Sequence, residues 1–172
     1  MAEFGNCINW VLRLEDRTLR GVSKNLGDGA GWTRFGITSR NNPQVSAEFF
    51  TTMSVDQALE VAKNVYWRKY WIPIQGQLLP TDELAATLLS FDVNDGAEAV
   101  KLLQGVLGLG RDGSFGPVTL RAVQAANPAD LAQELREAQE KWYLDILARK
   151  PEDEKFRNGW MKRARVVYPE LP

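Results

Sequence analysis

The chain has 172 residues, 44% hydrophobic and 25% charged, with a formal net charge of −1. That is the composition of an ordinary globular domain with enough material for one core. It contains no histidine and a single cysteine, Cys7. These counts exclude Ser-His-Asp and Cys-His nucleophilic chemistry, His-ligated zinc, a cysteine-cluster metal site and an intrachain disulfide. The charge balance provides no global positive field for nucleic acid or an anionic membrane. No run of about 20 apolar residues exists to span a bilayer. An enzyme made from this set works with carboxylates, hydroxyls, amides, Lys and Arg, and no metal or cofactor is expected.

The opening segment MAEFGNCINW has neither a basic stretch nor a long apolar core, so no secretory signal is expected. Synthesis in a reducing cytoplasm is expected, with a separate route out for any action outside the cell.

The apolar pattern is helical nearly throughout. Phe4, Ile8, Val11, Leu12 and Glu15 share one face of a first helix over about residues 3–15. Residues 16–44 hold five glycines and little periodicity, which predicts a long loop or a short β-hairpin. Ser54-Val55-Asp56-Gln57 is a capping box that opens a helix carrying Val55, Ala58, Leu59, Ala62, Val65, Tyr66 and Tyr70 inward, ended at the latest by Pro73. Thr81 caps the next helix, with Leu84, Ala85, Leu88, Leu89 and Phe91 as its stripe. Asn94-Asp95-Gly96 is a break, followed by a helix bearing Ala97, Val100, Leu103, Gln104 and Leu107. After the turn Gly108–Gly116, Pro117 suits a first helical position. Asn127-Pro128 repeats that signal for a helix over about 128–149, and Pro151 separates a last one over about 152–166. Val, Ile and Thr nowhere alternate over a sustained run. The predicted fold class is all-α, mainly helical, with a small loop or β-hairpin region after the first helix.

Glu15 falls on the apolar stripe of the first helix, at its C-terminal end. Partial burial and the negative end of the helix dipole both favour a protonated carboxyl there, which makes it a candidate general acid. The competing reading is a helix-end Glu that turns to solvent or pairs with Arg13 or Arg17. Farther on, Asp28-Gly29-Ala30-Gly31-Trp32-Thr33-Arg34-Phe35-Gly36-Ile37-Thr38 combines tight backbone with an acceptor and a hydroxyl, Asp28 and Thr33, that could orient a water or a sugar. A turn with an Asx cap explains the same residues.

Glu15 followed by Asp28-x-x-Gly31-x-Thr33-x-Phe35-Gly36-Ile37-Thr38 resembles the signature of glycoside hydrolase family 108, lysozyme-like N-acetylmuramidases that include phage endolysins. Tyr66-Trp67-Arg68-Lys69-Tyr70-Trp71 is similar to an aromatic-basic segment of that family, and Val93-Asn94-Asp95-Gly96 to its Val-Asn-x-Gly break. Leu103-Gln104 with Asp112-Gly113-Ser114-Phe115-Gly116-Pro117-Val118-Thr119 resembles the peptidoglycan-binding-type segment that follows. Phe156-x-x-Gly159-Trp160-x-x-Arg163 resembles the family's C-terminal motif. The matches run in the same order over most of the chain. Asp16 and Arg17 depart from the family's usual glycine pair after the Glu.

The resemblance implies hydrolysis of the β-1,4 bond between N-acetylmuramic acid and N-acetylglucosamine. Glu15 would be the general acid, Asp28 the first candidate for a second carboxylate, and Thr33 a holder of water or an acetamido group. A carboxyl separation of about 6.5–9.5 Å favours inversion and about 5–5.5 Å retention. Trp32, Phe35, Tyr70, Trp71 and Asn94 are the candidate substrate-binding residues, with core packing as the competing reading for the aromatics at 66–71. The resemblance further implies a catalytic region at 1–96 and a peptidoglycan-binding-type helical segment at 97–172, packed as one globular unit. It implies a monomer that acts on peptidoglycan strands of the cell wall, after release through a holin-like pore or a dedicated export route. Lys155, Arg157, Lys162, Arg163 and Arg165 form a basic run that could touch an anionic wall or be a solvated helix face. The runner-up function is a non-catalytic peptidoglycan-binding or secretion-associated module on the same scaffold, which the Glu15-Asp16-Arg17 segment favours. A helical partner-binding protein of a secretion or phage apparatus is a third.

Overall fold

The computed structural model describes residues 1–17, 19–25 and 31–170. Among the described residues, eight α-helices and one small sheet make a mainly helical fold. They are α1 (Phe4–Glu15), α2 (Ala47–Thr51), α3 (Val55–Tyr66), α4 (Asp82–Asp95), α5 (Ala97–Val106), α6 (Pro117–Ala125), α7 (Pro128–Arg149) and α8 (Arg157–Arg165). The strands β1 (Lys24–Asn25), β2 (Trp32–Arg34) and β3 (Ile37–Thr38) pair antiparallel in the order β1-β2-β3. Among the described residues no helix is long and apolar enough to cross a membrane.

The core is organised around α4. Every residue from Leu84 to Asp92 is buried, so the predicted stripe is only part of what this helix hides. It packs against α1, α5 and α7. A helix surrounded in this way is apolar or small on all sides, and Ala85, Ala86 and Ser90 let its neighbours approach closely. Asn94 and Asp95, expected as a break, complete its last turn, and Gly96 with φ +58° ends it.

The local helix signals are realised. Ser54 accepts from the Gln57 backbone N–H and Gln57 returns the bond, closing the capping box. Thr81 accepts from Leu84 N–H, and Asn127 caps α7 with Pro128 at its first position. The short α2 has no counterpart in the sequence reading. Val55 does not point inward: it stands in the first turn of α3 and is 41% exposed. The last helix begins later than expected, because Pro151–Phe156 forms a 3-10 turn before α8.

Between α3 and Pro73 the chain passes through a π-helical turn, Trp67–Trp71. The wider turn places Tyr66 and Trp71, five residues apart, both inside the core. Trp71 packs edge-on to Phe4 and stacks on Trp67.

The sheet is pinned by Arg34, a nearly buried cation. Its Nε donates to the Gly21 carbonyl at 2.7 Å, and its Nη1 donates to those of Phe49 at 2.6 Å and Met53 at 2.9 Å. Sheet, α2 and the segment after α1 therefore move as one body. Desolvation lowers the pKa of this guanidinium.

Candidate active site

The apolar stripe of α1 (Ile8, Val11, Leu12) is buried against α4, which fixes where the helix ends. Glu15 is its last residue, and its side chain stays 18% exposed at the core's edge. It lies beside a cavity of about 310 Å³ whose lining includes Asp16, Arg20, Thr33, Phe35 and Gly36. The first helix and the sheet thus form two walls of one cleft.

The tip of the β2–β3 hairpin closes on Glu15. Its two connecting residues, Phe35 and Gly36, have φ of +48° and +74°, the left-handed pair that a tight hairpin turn requires. A Cβ at Gly36 would lie 2.5 Å from the Tyr66 hydroxyl and 3.1 Å from Glu15 Cγ. Glycine is needed there for both conformation and space. The Tyr66 hydroxyl donates to the Phe35 carbonyl at 3.0 Å, anchoring the hairpin tip to α3. Burial, with the nearby charge of Glu15 as a smaller cause, raises the Tyr66 pKa well above that of a free phenol.

The third wall comes from the far end of the chain. Arg163 on α8 donates from Nη2 to Glu15 Oε1 at 2.8 Å. Its Nη1 reaches Ser90 Oγ at 3.4 Å. Assigning the Asn94 amide by its hydrogen-bond network turns its oxygen to Arg163, where it accepts from Nε at 2.6 Å and Nη1 at 3.0 Å. Three elements, α1, α4 and α8, therefore meet at one guanidinium. The ion-pair partner of Glu15 is Arg163, not Arg13 or Arg17.

The other expected residues are distributed unevenly. Thr33 lines the Glu15 cavity. Asp28 lies outside the described residues. Trp32 is 43% exposed on β2. Phe35 borders the cavity, but its ring is buried beneath Gly21. Trp71 is fully buried and offers no ring face to a sugar, so its assignment to substrate binding is corrected: it is a core residue. Asn94 acts on Arg163 as described. Tyr70 borders a second groove together with Asp92. Burial raises its pKa, with the charges of Asp92 and then Glu15 adding to the effect.

Asp16, the departure beside Glu15, accepts from the Gly21 N–H at 2.8 Å and so shapes the turn that follows α1. The basic run is largely neutralised within the chain, since Arg157 pairs with Glu154 and Arg165 with Glu140. Sequence reasoning did not find Tyr66, Ser90 or Asn94 as neighbours of the Glu15–Arg163 pair. Tyr66 and Asn94 stood out only through the motifs that contain them, and Ser90 and Asn94 share a helix face at a spacing of four.

The segment beyond α5 is organised by Gln104, a buried amide. Its Nε2 donates to Asp112 Oδ1 at 2.7 Å, the Ser114 carbonyl at 3.1 Å and Thr119 Oγ1 at 3.3 Å. Its Oε1 accepts from Gly113 N–H at 2.9 Å. These bonds hold the 108–116 loop in the shape that borders the groove of Tyr70 and Asp92.

Comparisons with known proteins agree with this architecture. Residues 98–165 match the family described as Predicted Peptidoglycan domain. A solved structure of SagA from Brucella abortus is 27% identical, with a TM-score of 0.72, covering 94% of this chain and 88% of that one. No curated protein matches. Residues 8–96 match the model described as Glycosyl hydrolase 108. The two family matches support a glycoside hydrolase that acts on peptidoglycan. With more than half its length matched by that hydrolase model, the chain belongs to glycosyl hydrolase family 108.

Proposed function

We propose that the protein is a lysozyme-type N-acetylmuramidase that cleaves the β-1,4 bond between N-acetylmuramic acid and N-acetylglucosamine, with Glu15 as proton donor. The observation that carries this reading is the asymmetric setting of the Glu15 carboxyl. Oε1 is held by Arg163 at 2.8 Å, while Oε2 lies on the side of Gly36 and accepts no hydrogen bond from the described residues. A carboxylic acid needs one oxygen as acceptor and one to bear the proton. Oε1 serves as the first, and Oε2 carries the proton delivered to the leaving glycosidic oxygen. Charge then develops on the sugar, and a second carboxylate or a held water completes the reaction. Asp28 and Thr33 remain the candidates for these roles. In this reading residues 1–96 carry the chemistry and 97–172 the wall-binding segment, which also supplies Arg163. The protein works as a monomer on the wall once released from the cytoplasm by a pore or an export route.

One observation favours a second reading, a non-catalytic wall-binding module. The Glu15 carboxyl is already engaged by the Arg163 guanidinium at 2.8 Å, as in a structural ion pair. Release of reducing sugar from purified peptidoglycan, compared between wild type and Glu15→Gln, separates the two. A muramidase loses about 10²–10⁴-fold in the folded variant. Wild-type protein that sediments with peptidoglycan and releases no sugar establishes the module instead.

A further inference from the structure

A groove of about 500 Å³ lies where the hydrolase region meets the C-terminal segment. Its walls are mostly apolar: Ile74 with Pro73 on one side, Val100 with Phe115 on the other. Tyr70, Asp92, Lys69 and Ser114 supply polar groups. Asp92 is only 8% exposed. Its carboxylate has no hydrogen-bond or ion-pair partner among the described residues. Lys69 also lines the groove; its Nζ lies 5.5 Å from the Tyr70 ring centroid and donates to the Asn41 carbonyl at 3.4 Å and Asn42 Oδ1 at 3.3 Å, and it makes no ion pair with Asp92.

A buried carboxylate without a partner is costly, and such groups are normally paired. Here the missing partner has a defined shape. The aliphatic walls suit a chain of methylenes, and the anionic group suits a cation at its end. Asp92 is the one anionic group of the lining, and the ammonium of Lys69 is already engaged by Asn41 and Asn42. Peptidoglycan contains a matching element in the diamino residue of its peptide stem, an alkyl chain ending in an ammonium.

We propose that this groove binds the alkylammonium side chain of the stem's diamino residue, with Asp92 taking the ammonium and Ile74, Val100 and Phe115 the methylenes. The proposal rests on peptidoglycan being the substrate. It places stem recognition at the seam between the two regions, separate from the Glu15 cleft.

The test is calorimetric titration of the full chain with the tripeptide L-Ala–γ-D-Glu–L-Lys and with its Nε-acetylated form. The free amine should bind, and acetylation should weaken binding at least tenfold. That comparison uses wild-type protein and needs no variant to fold. Asp92→Asn should produce a similar loss, and Ala97→Trp, at the exposed rim, should block the groove while leaving Asp92 in place. Equal affinity for the two peptides, or no binding of either, overturns the proposal. So does a stemless disaccharide that binds in wild type and is lost in Asp92→Asn, since the groove would then be a sugar site. Binding is read without hydrolysis, so a failed stem site and a failed muramidase give different results.

Discussion

Glu15 and Arg163 stand 148 positions apart in sequence and 2.8 Å apart in space, joining the end of α1 to α8. Both side chains are less than one-fifth exposed. Arg163→Met would leave a partly buried carboxylate without its cation, and a loss of about 1–3 kcal/mol is expected. Arg163→Lys keeps the charge but cannot reproduce the fork that also reaches Ser90 and Asn94, so it should lose less. Urea denaturation of the three proteins checks the order; equal stabilities would show that the pair is held by its surroundings.

Gly36→Ala should be more damaging than its size suggests. The backbone there has φ +74°, and the new methyl would lie 2.5 Å from the Tyr66 hydroxyl and 3.2 Å from Glu15 Oε2. The expected outcome is a folded protein with hydrolysis lowered at least tenfold and stability reduced by about 1–3 kcal/mol. Sugar-release assays beside thermal melts check it.

Asp92 links stability to pH. Burial raises its pKa from 3.8 to about 6. Below about pH 4 the carboxyl is protonated in both folded and unfolded chains, and its burial costs little. Between those values the folded chain holds a proton that the unfolded chain has released. This group's contribution to stability therefore falls as pH rises toward 6, and above that the cost is complete, about 2–3 kcal/mol. Asp92→Asn should therefore gain stability relative to wild type between pH 4 and pH 7. Denaturant midpoints for both proteins at the two pH values measure it, and a constant difference would show that Asp92 is solvated or paired.

Gln104→Leu removes four hydrogen bonds at once and leaves the Gly113 N–H in need of a new partner, while the Ser114 carbonyl keeps the Gly116 N–H at 2.9 Å. A loss of about 2–4 kcal/mol is expected. Proteolysis should then cut first within 108–116, the loop these bonds hold; cleavage elsewhere would show that the loop is held by other contacts.

Several features were legible because their causes are local. The Ser54–Gln57 box, the Thr81 cap and Asn127-Pro128 act within one helical turn, so those helices start where the residues indicate. The glycines of residues 16–44 announced a turn-rich region, and the left-handed Phe35–Gly36 turn lies within it. For Trp71 the sequence left substrate binding and core packing both open. Its direction depends on the π-helical turn that begins at Trp67, and an extra residue in a turn rotates everything after it. The all-round burial of α4 was equally hidden, because a stripe of Leu and Phe looks the same whether the opposite face meets water or two more helices.

By itself the sequence excluded histidine and disulfide chemistry, set the helical class, and placed a glutamate at the end of an amphipathic helix. These follow from composition and from interactions a few residues long. Tertiary structure decided which partner that glutamate meets, that Asn94 steadies the partner, that Trp71 is core, and that Asp92 lines a groove without an ion-pair partner among the described residues. Those outcomes depend on contacts between residues tens to more than a hundred positions apart, which form only when α1, α4 and α8 pack together.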